Sequence, residues 1–547
     1  MSITIYKAAA ILTMDHTRPR ASCVAVRDGR ILGVGEPDEM KAWGSASIND
    51  RFADKVLMPG FVEGHTHASE GVFWQSVYCG YFDRRDPDGR LWHGVRDRAA
   101  LIERLRAVAA QSAPGSPLSG WSLDPIYYPP GQRRLTRHDL DEVDRVRPIG
   151  LMHASGHILS VNTAALQAAG LMRQDVDHPG IALGDDGMPL GELKGPEAMT
   201  TVGRFVGFDR ERQAADESAL RAFGRICVRA GVTTATDLAN LLPDDGVAMM
   251  RRVAAGDDFP IRLVPFRRFQ GISSSAIVER VLALRAFNTD KLRFGGVKMF
   301  ADGSIQGFSA RLRWPGYLNG APNGLWYTPP EQIVDTLRLG MAHGLRLHVH
   351  TNGDEAIDMV LDALDSALRS QPAFDHRVTF QHGQLADAAQ LRRMRALGAC
   401  VNLFPNHLYS WGEQHETLTL GLERTERMNP CATAIACGVP LALHSDAPVT
   451  PMAPLFCAWS AVNRLGANGR IYGRAERIGV EAALHAITLG PAYTLGMDGE
   501  VGSIVVGKRA DFAVLEADPT MVPEAELRDI GVWGTVLGGQ PFEASQV

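Results

Sequence analysis

Two histidines separated by one residue, His65 and His67, follow an apolar run and a Pro-Gly turn in VLMPGFVEGHTH. Along a strand, residues i and i+2 point to the same side, so both imidazoles can face one cation. Four more ionisable residues lie in later apolar runs or at their ends. Lys298 is in GGVKMF, His350 ends LRLHVH, His382 ends VTFQH and Asp446 closes VPLALHSD. Neutral imidazoles suit zinc and similar borderline metals, and a carboxylate completes such a shell. The chemistry implied is hydrolysis by water acidified on a metal. An HxH pair alone carries little weight in a chain with 17 histidines, where two ordinary polar residues are the plain alternative. The joint pattern carries more, because metal sites need clusters.

These residues converge only if their runs are neighbours. Eight apolar runs read as strands, at 56–64, 232–237, 261–266, 295–300, 345–350, 378–382, 399–404 and 439–446. Helix-like stretches such as ERQAADESALRAFGRICVRAG and DEAIDMVLDALDSALRS separate most of them. Buried strands alternating with helices imply a parallel sheet, and eight in succession imply an α/β fold with a closed (β/α)8 TIM-like barrel. The active sites of such barrels lie at the C-terminal ends of the strands, where these residues fall. The gap after the first strand, about 68–205, is too long for one βα unit. It must hold a large insertion, which includes the strand-like PIGLMHASGH. Insertions on barrel loops shape substrate entry. The barrel is expected over 57–495.

Both ends read as β-structure. SCVAVRDGRILGVGE alternates on either side of Asp28-Gly29, a two-residue hairpin signal. VGSIVVGKRADFAVLEADP reads as two strands around Gly507-Lys508. Neither end buries a core alone, so residues 1–56 and 496–547 are expected to form one small β-sandwich.

The net charge is -6, which gives no electrostatic footprint for nucleic acid or an anionic membrane. No apolar run approaches a membrane span, and MSITIYKAAAILTMDHTRPR reads as a strand rather than a signal peptide. The cytoplasm is the default compartment. Seven cysteines, an odd number with no CxxC pair, argue against a disulfide framework. The densest charge cluster, Asp83 to Arg90, alternates in sign and reads as a solvated turn.

MPGFVEGHTH resembles the opening signature of the amidohydrolase superfamily. VKMFADGSIQG, HVHTNGDEAID, QHGQ, LHSDAPVTPMAPL and SGHILSVNTAAL are similar to motifs of the branch that contains N-substituted formamide deformylases. The closing GSIVVGKRADFAVLEADP resembles the final β-segment of these enzymes, and the resemblance covers nearly the whole chain. It implies a metal-dependent hydrolase of non-peptide C–N bonds, most simply of an N-substituted amide or formamide. It implies His65, His67, His350, His382 and Asp446 as ligands of one or two divalent ions such as zinc, with Asp446 also handling the proton. Lys298 matches a position that carries a bridging carboxylated lysine in several relatives; a salt-bridged barrel lysine is the alternative. The implied partner is a small-molecule substrate, and self-association as a homodimer is a further expectation.

Other residues have plainer readings. His348 and His444 read as packed or supporting partners. His153 and His157 lie in the insertion, and His157 either reaches substrate or anchors a loop. Asp302 either orients a neighbour or closes a turn. Trp74, Tyr78, Phe404, Tyr409 and Trp411 either line an apolar pocket or simply pack. A hydrolytic deaminase is the second reading. Against it, adenosine-deaminase-like relatives carry a Glu three residues after the strand-five histidine, and here that residue is Gly353, with Asp354 and Glu355 beyond. Cyclic amides and esters remain open. A non-catalytic scaffold is a reading of another class, but every expected ligand position is filled.

Overall fold

The computed structural model describes residues 3–40, 46–132, 134–209, 213–269 and 271–546. Met1 and Ser2 of the expected first strand and Glu211 and Arg212 of an expected helix lie outside the described residues. So do 41–45, Arg133 and Val547 of the expected segments.

Eight parallel strands form the central sheet, in order around the barrel: Phe61–Glu63, Val232–Asn240, Arg262–Arg268, Gly296–Phe300, Arg346–Thr351, Thr379–His382, Cys400–Leu403 and Leu441–Leu443. Each expected strand is present, with two changes at the ends of the set. Residues 56–59, expected in the first barrel strand, belong to the strand Ala46–Pro59 of the terminal sheet. Gly60 makes the change of direction possible: a Cβ there would lie 2.0 Å from Thr233 Oγ1. The eighth strand stops at Leu443, and His444 to Asp446 leave it as a loop in which Asp446 has φ 51°. The main apolar core lies between the strands and the surrounding helices, with strand side chains such as Val297, Leu347, Val349, Phe380, Val401 and Leu443. Their strand neighbours Lys298, His348, Gln381 and Asn402 are buried inside the barrel.

The expected helix at 354–370 forms as Asp354–Ser370. The other expected helix starts late, as Glu217–Arg229, because the Asp216 side chain caps it by accepting from the Ala219 amide.

The chain ends share one seven-stranded sheet, which includes Ile3–Leu12, Arg20–Arg27, Ala46–Pro59 and Phe512–Leu515. It curls on itself: Tyr6 OH donates to the Gly539 carbonyl, and Val24, Phe52, Phe512 and Val536 share one apolar cluster. The hairpin turns at Asp28-Gly29, both with positive φ. The expected strand before Gly507 does not form. The amides of Ile504 and Gly507 go singly to the carbonyls of Thr13 and Ile31, so the segment ties two strands without joining a ladder.

The insertion carries its own six-stranded sheet, with Ile149–His153 and Ile158–Val161 at its centre. Apolar clusters cover it, one around Trp121, Leu159 and Leu193 and another around Leu101, Leu105 and Leu151. No helix among the described residues is long and apolar enough to cross a membrane.

Arg262, at the start of the third barrel strand, grips Asp511 of the terminal segment with Nε and Nη2, at 2.6 and 3.0 Å. Both side chains are buried. Removing one partner of a buried pair leaves an uncompensated charge, which costs about 3–5 kcal/mol. Arg262 keeps a second partner, Asp290 Oδ2 at 2.8 Å from Nη1, so Asp511→Ala is expected to lower stability by about 1.5–3 kcal/mol in urea unfolding. A loss under about 1 kcal/mol would show that the pair does not hold the sheet to the barrel.

Candidate active site

The strand ends deliver their side chains to one place. His65, His67, His350, His382 and Asp446 line one pocket at the barrel mouth, together with His157 from the insertion. Lys298 lies beneath it, fully buried, with Nζ 3.3 Å from His65 Nε2. The sequence-derived set is thus brought together in full.

The ring orientations have identifiable causes. His65 Nδ1 is 2.7 Å from Gln381 Oε1, and His67 Nδ1 bonds the Leu238 carbonyl. Each outer nitrogen is committed, so each Nε2 turns inward, 3.3 Å from Asp446 Oδ1. His382 stands between two imidazoles, with Nε2 3.0 Å from His350 Nδ1 and Nδ1 3.1 Å from His444 Nε2. His382 and Asp446 both have positive φ, at 72° and 51°. Such conformations persist only where the surroundings enforce them, and they cluster at functional sites.

Burial sets the electrostatics. It holds the imidazoles of His65, His350, His382 and His444 well below the ordinary histidine pKa, and neighbouring cationic groups, Lys298 among them, add to the effect. Burial also lowers Lys298 to about 7, against the pull of the Asp446 carboxylate and with help from Arg268. Glu63, two residues before His65, is pushed up to about 8 by burial, while hydrogen bonding to Ser445 opposes that rise.

Two overlapping triads have donor atoms close enough to hold an ion: His65, His67 and Asp446, and His65, His382 and His444. Asp446 Oδ1 and His444 Nδ1 are buried with no hydrogen-bond partner. Imidazole nitrogens around an unsatisfied carboxylate oxygen fit a divalent ion of the zinc type.

The remaining histidines separate cleanly. His348 is held by Gln381 and the Thr494 carbonyl and packs on Phe266. His153 bonds Ser160 within the insertion sheet, though it also borders the pocket. The His157 ring lies 5.3 Å from that of His350 and 5.6 Å from Tyr327. His444, read as a supporting residue, is inside one triad. Its signal was the i, i+2 spacing to Asp446. Asp302 is an orienting residue: it accepts from the amides of Arg311, Asn352 and Gly353 and lies 3.7 Å from His350 Nε2.

Of the two readings of the aromatics, simple packing is the one that holds for Trp74, Tyr78, Tyr409 and Trp411. Trp74 and Tyr78 pack on Trp121, Tyr409 packs on Phe456 and Trp459, and Trp411 donates to Asp124. Phe404 touches the site only through His382 and His444. The aromatic pocket walls are Phe73, Trp121, Phe208 and Phe300.

A model of the amidohydrolase family matches residues 53–542, and the chain belongs to that family. It is an amidohydrolase, an enzyme of a superfamily whose members are metal-dependent. The chain is 28% identical to YtcJ of Bacillus subtilis over 98% of both proteins. It is 27% identical to the N-substituted formamide deformylase of Arthrobacter pascens, over 97% of this chain and 96% of that one. A crystal structure of an uncharacterized metal-dependent hydrolase from Pyrococcus horikoshii superposes with a TM-score of 0.73, at 18% identity, covering 96% of this chain and 99% of the other. That likeness shows the fold.

The charge cluster expected as a solvated turn contains a buried residue. Arg84 is 5% exposed. Its Nη2 bonds Glu70 Oε1 at 2.6 Å and the Thr450 carbonyl at 3.1 Å, and its Nη1 bonds the Pro448 carbonyl at 2.6 Å. Its guanidinium also lies 5.0 Å from the Trp121 ring. One side chain of the insertion thereby ties the loop after His67 to the loop after Asp446. Nothing in the local sequence separates Arg84 from its exposed neighbour Arg85, because its partners are remote in the chain. A lysine keeps the charge but cannot bridge these acceptors. Small misplacement of a catalytic group costs up to about a hundredfold in rate. Arg84→Lys is expected to lower kcat by about ten- to a hundredfold with bound metal and circular dichroism unchanged. Full kcat in that variant would show that the strut does not position Asp446.

Proposed function

We propose that the pocket hydrolyses a non-peptide C–N bond, that of an N-substituted amide or formamide. The observation that carries this reading is the buried Asp446 carboxylate, faced at 3.3 Å by the inward nitrogens of His65 and His67. The full-length similarity to an N-substituted formamide deformylase supports the choice of bond. His65, His67, His350, His382 and Asp446 are the proposed ligands, with His444 at the edge of the set. A divalent ion of the zinc type held by these residues would supply Lewis acidity to acidify water and polarise a carbonyl. Lys298 joins the shell only as its carbamate, since an ammonium has no lone pair to give. In that form it would let the site hold two ions.

Asp446 takes the proton of the attacking water as its oxygen bonds to the carbonyl carbon. His157, at the pocket wall beside His350, donates to the oxygen on which negative charge develops. Asp446 then passes its proton to the nitrogen as the C–N bond breaks, giving a carboxylic acid and an amine. The apolar walls hold the substituent and keep bulk water away. The deaminase reading has less support. Glu355 is engaged by Arg311 and Asn323, and Asp354 accepts from the Arg313 amide, so neither is free to serve the pocket.

Hydrolysis of N-formyl and N-acyl amines, followed by release of the amine, tests the reading. Asp446→Asn is expected to reduce kcat by about 10²–10⁴-fold while the fold persists. Turnover at the parent rate would remove Asp446 from the proton transfers. No turnover of any such amide by the metal-loaded parent enzyme would remove the proposed bond.

A further inference from the structure

Two adjacent arginines end the third barrel strand and, as strand neighbours, face opposite ways. Arg268 lines the active pocket. Arg267 lines a second cavity of about 900 Å³, walled by the helix Gly195–Gly203 of the insertion and by loops that follow the second and third barrel strands. This cavity is larger than the roughly 190 Å³ at the histidines, so it has room for a substantial group. The two spaces adjoin: Met152, Phe208 and Leu241 line both. Apolar side chains therefore form the boundary between the reacting end and the space at Arg267.

Arg267 is half-buried, and its Nη1 donates to the Arg268 carbonyl at 2.7 Å. Among the described residues no carboxylate lies within ion-pair distance of it. The strongest influences on its charge are burial and the nearby cation of Arg280, both unfavourable to a guanidinium. Arg280 is itself paired at the surface with Asp244 at 2.6 Å. A half-buried guanidinium without a counter-charge, backed by another cation, is the electrostatic complement of an anion. Asp209 and Asp244 also line the cavity, which favours a single negative charge over a phosphate dianion.

We propose that the second cavity receives the carboxylate end of the substrate, which makes the substrate class N-substituted amides whose apolar substituent ends in a carboxylate. Arg267 is the specificity-determining residue of that subsite, and Met152, Phe208 and Leu241 pack along the substituent. The reacting end rests on the amide-hydrolase reading, but the anion subsite is testable without catalysis.

Calorimetric titration of the metal-loaded enzyme with phenylbutyrate and with neutral phenylbutanol measures the subsite directly, since neither compound has a bond to hydrolyse. The acid is expected to bind about tenfold or more tightly than the alcohol, the usual worth of a hydrogen bond to a charged group. That difference is expected to vanish in Arg267→Met and to survive in part in Arg267→Lys, so a folded control keeps the positive charge. Acetate, an anion without the apolar part, is expected to bind far more weakly than phenylbutyrate. Equal binding of acid and alcohol would overturn the proposal, as would a preference that persists in Arg267→Met and so belongs to the metal. Acetate binding as tight as phenylbutyrate would overturn the link to the substrate and leave a free-anion site. If the acid preference depends on Arg267 but no amide is cleaved, the subsite stands and the reaction reading falls.

Discussion

A cluster of buried imidazoles must stay uncharged, and most of the site follows from that constraint. His65, His350, His382 and His444 crowd one small volume, where several positive charges could not coexist without solvent. Burial removes the protons, and the lone pairs so exposed are what a divalent ion needs. Orientation then decides whether those lone pairs converge. Gln381 and the Leu238 carbonyl hold the outer nitrogens of His65 and His67, so the inner nitrogens meet at Asp446.

The site also closes the barrel. The first and eighth strands are the two ends of the sheet order, and the bonds between them lie at their C-terminal ends. The Asp446 amide donates to the His65 carbonyl, the His67 amide donates to the Ala447 carbonyl, and the Ser445 amide reaches Glu63. The loop that presents the carboxylate and the loop that presents the histidine pair are therefore one seam. Arg84 locks that seam from the insertion side, and the same insertion brings His157 and Trp121 to the pocket. Substrate enclosure and the geometry of Asp446 are thus mechanically joined.

Local patterns made part of this legible in the chain. The eight strands showed as short apolar runs, and the metal-facing residues showed because they fall at the ends of those runs. The HxH pair needed only the two-residue period of a strand. What stayed hidden depends on partners far apart in sequence. Arg84 looks like its exposed neighbours until Glu70, Pro448 and Thr450 surround it. Gln381 sits beside His382 but acts on His65. The pocket aromatics Phe73, Trp121 and Phe208 come from the insertion side, where no periodicity indicates which faces turn inward. Residues 501–507 read as a strand, yet the amides of Ile504 and Gly507 go singly to Thr13 and Ile31 on two separate segments.

The central claim is that these converging side chains hold a divalent ion. Elemental analysis of protein purified without chelator tests it most directly. One to two equivalents of zinc or a similar metal per chain are expected, with a marked loss in the double variant His65→Ala/His67→Ala. A folded protein that holds no metal after reconstitution would contradict the claim.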